Sequence, residues 1–162
     1  MAQDIKYIVL KHEIELPQSI VHFVEKEALI VPIDLYDSEF ETLIDASARL
    51  KNADGIFDFI IQEVLPEDSA IDVAKCLQSL QINTFVIASY RDAINTYPWM
   101  VVKDNELIPI DNYNVDPHKL IGIEAPSYFD IVNHEERYYS YDDAFYEYYK
   151  NNPEKELVRR FG

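Results

Sequence analysis

Strand and helix patterns alternate along residues 29–88. The first of these patterns is the stretch Leu29-Ile30-Val31-Pro32-Ile33-Asp34-Leu35. Its apolar and β-branched residues predict a strand. Pro32 predicts that this strand lies at a sheet edge or carries a bulge, because proline cannot donate a ladder hydrogen bond. Residues 38–50 then show apolar side chains at helical spacing, with Ser38 and Glu41 as a capping box and Gly55 beyond the predicted end of the helix.

Two more strands and one more helix complete the alternation. Residues 56–61 and 84–88 are apolar runs that each predict a strand. Between them, residues 66–68 (Pro-Glu-Asp) predict the start of a helix. The inner stripe of that helix is predicted to be Ile71, Ala74, Leu77 and Leu80. The order β-α-β-α-β predicts parallel strands joined by right-handed crossovers.

The flanking segments extend this layer. Residues 5–10 predict a strand that is buried on at least one face, and residues 99–110 predict a β-hairpin with its tip at 103–106. Pro109 predicts that the second hairpin strand is an edge. Residues 17–28 fit either a helical stripe or a strand that turns at 25–27. We therefore predict a single α/β domain over residues 1–162, with a mixed sheet and an appended hairpin.

The C-terminal part is unusually rich in tyrosine. Seven of the chain's twelve tyrosines lie at Tyr128 or beyond it. The residue patterns of this part predict short helices at about 141–150 and 153–160. In the first of these predicted helices, one set of aromatic residues has the spacing of a buried face. The remaining tyrosines would then lie at the surface beside carboxylates. Tyrosine rings supply anchoring area at low entropic cost, and carboxylates pair with Lys or Arg. A packed helix with a solvated acidic face explains the segment equally well.

The charge balance excludes several classes of partner. Fourteen Lys and Arg against thirty Asp and Glu give a net charge of −16. Long-range repulsion therefore opposes nonspecific binding to nucleic acid and to anionic lipid. Three glycines leave almost nothing from which to build a glycine-rich phosphate loop. We expect a basic protein partner, with no direct contact to nucleic acid or membrane.

Two acidic surfaces are candidates for holding that partner. One is the tyrosine-rich segment, and the other is the outer face of the helix predicted at 38–50. Within these surfaces we expect the partner-binding residues to be Tyr138, Tyr139, Asp142, Asp143, Tyr146 and Glu147, together with Glu39, Glu41 and Asp45.

The sequence predicts neither a metal site nor a cofactor. Residues 134–138 (His-Glu-Glu-Arg-Tyr) begin like the zinc-protease pattern HExxH, but Tyr138 stands where the second histidine is required. The other histidines, His12, His22 and His118, show no ligand spacing. Cys76 lies in a predicted amphipathic helix, where a small buried apolar role is expected rather than a reactive thiol.

Three classes of function remain. The leading hypothesis is a cytosolic, immunity- or antitoxin-type inhibitor of a basic toxin such as a nuclease. The alternative is a small α/β enzyme at the carboxyl ends of the strands, using Asp34, Asp37, Ser89 and Arg91, although capping explains these acids well. The third is a structural or oligomeric accessory protein. A cytosolic location is expected because no apolar run is long enough to span a bilayer and the single cysteine fits a reducing compartment.

Overall fold

Six strands and four helices make up the fold in the computed structural model, which describes residues 4–17, 20, 22–25, 27–33, 35, 37–64, 69–91, 99–109 and 116–124. The strands are β1 (Asp4–Lys11), β2 (Phe23–Glu25), β3 (Ala28–Pro32), β4 (Phe85–Arg91), β5 (Trp99–Lys103) and β6 (Glu106–Leu107). The helices are α1 (Asp37–Leu50), α2 (Ala53–Glu63), α3 (Ser69–Ser79) and α4 (Pro117–Leu120). The predicted mixture of α and β structure is confirmed. The predicted C-terminal helices lie outside the described residues.

The described strands form one sheet in the order β2-β3-β1-β4-β5-β6, and every neighbouring pair is antiparallel. The predicted mixed sheet with adjacent parallel strands is therefore wrong for this part of the chain. Strands β3 and β4 do run in the same direction, but β1 lies between them, with Val9 opposite both Ile30 and Val86. The pattern of residues 29–88 contains no information about β1, which comes from earlier in the chain.

Residues 56–61 form part of a helix, which corrects the predicted strand. Asn52 caps α2, its side-chain oxygen accepting a hydrogen bond from the backbone N–H of Gly55 at 2.9 Å. Ile56, Phe57 and Ile60 are buried, at the spacing of one helical face. Short apolar runs fit strand and helix alike, and packing against the sheet decides in favour of the helix. The described residues between β3 and β4 thus form three helices, so the predicted β-α-β-α-β order is not found.

The ends of α1 differ from the prediction. The helix begins at Asp37, so Ser38 lies inside its first turn rather than at the predicted cap. It ends at Leu50, and Lys51 takes the left-handed conformation with φ 68°. Gly55 lies within α2, where an added β-carbon would overlap the carbonyl oxygen of Leu50. The glycine therefore permits the close approach of α1 to α2 and does not terminate α1.

The buried stripe of α3 is shifted from the predicted one. Helix α3 is confirmed after residues 66–68, and Ala74 and Leu77 are buried as expected. Ala70 and Val73 complete the buried face. Ile71 is half-buried. Leu80 is 41% exposed because the helix ends at Ser79, one residue earlier.

Pro32 lies at the end of an inner strand, so the edge prediction is wrong. β3 is bordered by β1 and β2. The N–H of Ile33 donates to the carbonyl oxygen of Lys6 at 3.0 Å, so the nitrogen of Pro32 is directed away from β1. On that other side, the described part of β2 begins opposite Ile30. Pro32 therefore lies beyond the described residue pairs of β2 and β3. Among the described residues, its missing N–H does not interrupt any hydrogen bond between these strands.

The predicted hairpin is confirmed as β5 and β6, and β6 is the outermost of the described strands on its side of the sheet, as Pro109 indicated. Asp104 and Asn105, with φ 51° and 64°, form its two-residue turn. Asn105 also reaches the α1–α2 junction, its side-chain oxygen accepting from the N–H of Ala53 at 3.2 Å. The N–H of Leu107 donates to the carbonyl oxygen of Lys51 at 3.0 Å. The hairpin tip is therefore fastened to the helical layer.

Both faces of the sheet are buried. Ile8 and Leu10 belong to the core shared with helices α1–α3, whereas the alternate residues Tyr7 and Val9 are buried on the opposite face. There Tyr7 stacks on His118 of α4.

Residues 17–28 were predicted to form either a helical stripe or a strand, and the structure has a strand at Phe23–Glu25. Within the described part of the chain, we find no helix with both the length and the apolar composition needed to cross a bilayer.

Candidate functional site

Helix α1 carries the three predicted partner-binding carboxylates that the structure describes, Glu39, Glu41 and Asp45. Phe40 and Leu43 bury the opposite stripe of this helix. Glu41 and Asp45 lie one turn apart and are exposed, whereas Glu39 is half-buried beside the core stripe. The structure therefore brings Glu41 and Asp45 together and separates Glu39 from them. The other six predicted partner-binding residues, Tyr138, Tyr139, Asp142, Asp143, Tyr146 and Glu147, lie outside the described residues.

Helices α2 and α3 extend this acidic surface. Asp54, Asp58 and Glu63 are exposed on α2, and Asp72 is exposed on α3. Residues 37–64 and 69–79 together carry eight carboxylates against three cations, Arg49, Lys51 and Lys75. We call the outer surface of α1–α3 the acidic helical face. Sequence analysis missed Asp54 and Asp58 as members of it because their segment was interpreted as a strand, although their spacing of four residues is a helical signal.

The candidate enzyme residues lie at one edge of the sheet. Because β3 and β4 run in the same direction, their carboxyl ends meet there, with the beginning of β1 between them. Ser89 is 2% exposed and lies directly opposite Lys6. Asp34 is outside the described residues. Asp37 begins α1 and Arg91 ends β4, but the structure does not describe their side chains.

Lys6 is the residue of this edge that sequence analysis missed. The feature of the sequence that could have indicated it is a single cationic residue inside the apolar run of residues 5–10. It is fully buried and, like Ile8, directed toward the helical layer. Directly opposed residues of an antiparallel pair have β-carbons about 4.5–5.5 Å apart, so Lys6 and Ser89 are close neighbours. The Ser89 hydroxyl is buried without a hydrogen-bond partner in the described structure.

A serine–histidine–aspartate triad is not assembled around Ser89 by the described residues. His118 stacks on Tyr7, on the face of β1 opposite to that of Lys6 and Ser89. The ring nitrogen Nδ1 of His22 lies 2.7 Å from the carbonyl oxygen of Ile20. His12 is exposed beyond β1, whose start lies at the Ser89 edge.

Asp116, His118 and Tyr7 form a polar group on the other face of the sheet. Asp116 caps α4, its carboxylate accepting from the backbone N–H of His118 at 3.0 Å and from the Nδ1 of that histidine at 2.9 Å. The carboxylate can only accept, so Nδ1 carries the proton. Burial lowers the pKa of His118, although the hydrogen bond and charge of Asp116 act in the opposite direction. Burial, together with the Asp116 charge, raises the pKa of the Tyr7 hydroxyl.

This histidine makes stability depend on pH. Its pKa is lower in the folded chain than the value of about 6.5 in the unfolded chain, so acid protonates the unfolded state first. We expect the free energy of unfolding to fall as the pH drops below about 6.5 and to level off below the folded pKa. This contribution cannot be steeper than about 1.4 kcal/mol per pH unit.

The measurement is urea unfolding between about pH 7.5 and 5 for the natural chain and for His118→Asn, whose amide keeps a donor toward Asp116. The difference between the two pH slopes isolates His118 from the other titrating groups. Equal slopes for the two proteins would contradict the assignment.

The remaining candidates for chemistry are weak. Cys76 is half-buried against the core, and burial raises the pKa of its thiol, which disfavours the reactive thiolate. In the described segments, no three His, Cys, Asp or Glu side chains are placed to hold a metal ion. Comparison of the chain with protein-family models, curated proteins and solved structures finds no match.

Proposed function

We propose that the chain is an acidic binding protein that neutralises a basic protein partner, most concretely as an immunity- or antitoxin-type inhibitor of a toxin such as a nuclease. The observation that carries this proposal is the acidic helical face, with six exposed carboxylates against three exposed cations among the described side chains. The same helices bury their apolar residues in the core, so the exposed carboxylates occupy positions that packing does not require.

Electrostatics favours such a role. A surface with one sign of charge attracts an oppositely charged protein over several ångströms and increases the association rate. Because α1, α2 and α3 share one core with the sheet, the backbone that carries the carboxylates is already ordered and costs little entropy on binding. Asp58 already accepts a hydrogen bond from the side chain of Gln78 at 2.8 Å.

Neutralisation follows from covering the partner's cationic surface. A nuclease needs Lys and Arg to hold the phosphates of its substrate, and carboxylates paired with those cations exclude the substrate. The tyrosine-rich segment would supply the slow dissociation, with Tyr138, Tyr139 and Tyr146 as anchors between Asp142, Asp143 and Glu147. Glu39, Glu41 and Asp45 would supply the attraction. We place this role in the cytosol.

The test is capture of the partner by the immobilised chain from a lysate of its source at about 50 mM and about 500 mM salt, which differ in Debye length. We expect one basic protein in near-equal amount, with an association rate that falls steeply with salt. Glu41→Gln combined with Asp45→Asn should weaken this complex about three- to tenfold, chiefly through the association rate.

The matched control is Asp104→Asn combined with Glu106→Gln, which removes two exposed carboxylates from the hairpin tip. It changes the net charge equally but leaves the acidic helical face intact. If both double variants weaken the complex to the same extent, only net charge matters and the acidic helical face is not the interface.

A small enzyme with its site at the carboxyl ends of β3 and β4 is the second candidate. The observation in its favour is the buried hydroxyl of Ser89 directly opposite Lys6. A lysine paired with a serine is one known arrangement of a base and its nucleophile, in which the neutral amine accepts the proton of the hydroxyl. Both residues are closed off from solvent, whereas an enzyme site must admit a substrate, so we rank this function below binding.

A further inference from the structure

A cleft of about 350 Å³ opens at the sheet edge opposite to Ser89. Its walls are the end of β1, the connection from α3 to β4, and the tip of the β5–β6 hairpin. Pockets for small molecules begin at about 300 Å³, so this volume suits a compact ligand.

The walls of the cleft are held by hydrogen bonds that need no ligand. The N–H of Asp104 donates to the hydroxyl of Thr84 at 3.1 Å, and the N–H of Asn105 donates to the carbonyl oxygen of Asn83 at 2.8 Å. On the other side, the N–H of Ile82 donates to the carbonyl oxygen of Leu77 at 3.1 Å. The cleft is therefore preformed, which reduces the entropy that a ligand must overcome on binding.

Part of the cleft lining is apolar. Leu10, Ile82 and Ile121 line it and are all buried. Leu80 also lines it and, at 41%, is the exposed large hydrophobic side chain of the described residues. Isolated exposed leucines are common, but this one borders a cleft in which it can contact the hydrocarbon part of a ligand.

Two lysines enter the same cleft from different strands. Lys11 is the last residue of β1 and Lys103 the last of β5, with β4 between them. The ammonium nitrogen of Lys11 lies 3.6 Å from the position of a β-carbon built on Gly122, so the lysine runs along this glycine beside Ile121. Lysines beside apolar side chains suit a ligand that has a carboxylate and a hydrocarbon body.

Glu13 and Asp104 also line the cleft and restrict the charge of the ligand. With two carboxylates against two lysines, the lining is electrically balanced on a chain of net charge −16. A ligand with several negative charges, such as a polyphosphate, would be repelled by these carboxylates. A single negative charge can be placed beside the lysines.

We propose that this cleft binds a small amphipathic monocarboxylate, with the hydrocarbon body against Ile14, Leu80 and Ile82 and the carboxylate between Lys11 and Lys103. The proposal is independent of the basic partner, because none of its residues belongs to the acidic helical face. It assigns a ligand site to a part of the chain where sequence analysis predicted only a strand end and a hairpin tip.

The test is an amide chemical-shift titration of the full chain by NMR with three probes. Hexanoate has both the body and the charge, hexanamide has the same body without the charge, and acetate has the charge without the body. We expect hexanoate to shift the amides of residues 80–84 and 103–104 and to bind on the order of tenfold more tightly than either other probe.

Substitution of the lysines completes the test. Lys11→Gln combined with Lys103→Gln should raise the hexanoate dissociation constant about tenfold and leave that of hexanamide unchanged. Lys75→Gln, an exposed lysine of α3 outside the cleft, is the control for loss of positive charge and should leave hexanoate binding within about twofold. Shifts elsewhere, equal affinity for hexanoate and hexanamide, or an unchanged constant in the double variant would each overturn the proposal.

Discussion

Phe57→Ala is expected to lower the free energy of unfolding by about 3–5 kcal/mol, the largest effect of a single substitution that we predict. The Phe57 side chain is fully buried, and its ring stacks on that of Phe85 with 5.1 Å between centroids and 24° between planes. Truncation removes this contact and leaves a cavity between α2 and the sheet. Equilibrium unfolding in urea measures the change.

Phe59→Ala is the matched control because it also tests the secondary structure of this segment. If this segment were a strand, residues 57 and 59 would lie on the same face of the sheet. Truncation of either side chain would then lower the free energy of unfolding by a similar amount. In the observed helix Phe59 is half-buried, so its truncation is expected to cost about 1–2 kcal/mol. Equal losses for the two variants would contradict the helical assignment of residues 53–63.

Gly55→Ala is expected to lower the free energy of unfolding by at least about 2 kcal/mol, against the helix propensity scale, on which alanine is favoured by about 1 kcal/mol. Gly55 lies inside α2, and a β-carbon there would overlap the backbone carbonyl oxygen of Leu50. Backbone at the α1–α2 junction must therefore move, which disturbs the neighbouring bond from Leu107 to Lys51.

Ala48→Gly on the exposed face of α1 is the control for propensity alone, and we expect it to cost about 1 kcal/mol. Both substitutions are measured by urea unfolding. If Gly55→Ala stabilises the chain, the junction has room for a side chain and the close approach of the two helices is not what requires glycine.

Both predictions concern α2, a segment whose sequence fits a strand as well as a helix. Apolar residues at 56, 57, 59, 60 and 61 satisfy the periods of a strand and of a helix. Asn52, which caps α2, was the local signal for a helix start, since asparagine is favoured at that position. Gly55 correctly indicated that α1 ends nearby, but the reason is the contact with Leu50, which involves no left-handed conformation at the glycine.

The candidate sites were predictable only in part. Glu41 and Asp45 follow from the helical period of α1, and the structure places both at the surface. Asp54 and Asp58 join them only once α2 is known to be a helix. Lys6 meets Ser89 through an antiparallel register between residues 83 positions apart, and local patterns contain no information on register at that distance.

Local patterns were enough to predict β1, β3, β4, the β5–β6 hairpin, α1 and α3, because these depend on local periodicity and turn chemistry, and composition alone gives the large negative charge. Long-range packing was needed to show that β1 lies between β3 and β4, that residues 53–63 are helical, that Lys6 lies opposite Ser89, and that Lys11 and Lys103 line one cleft. The physical reason is that strand order and the choice between two locally acceptable conformations depend on the free energy of burying distant apolar surfaces together.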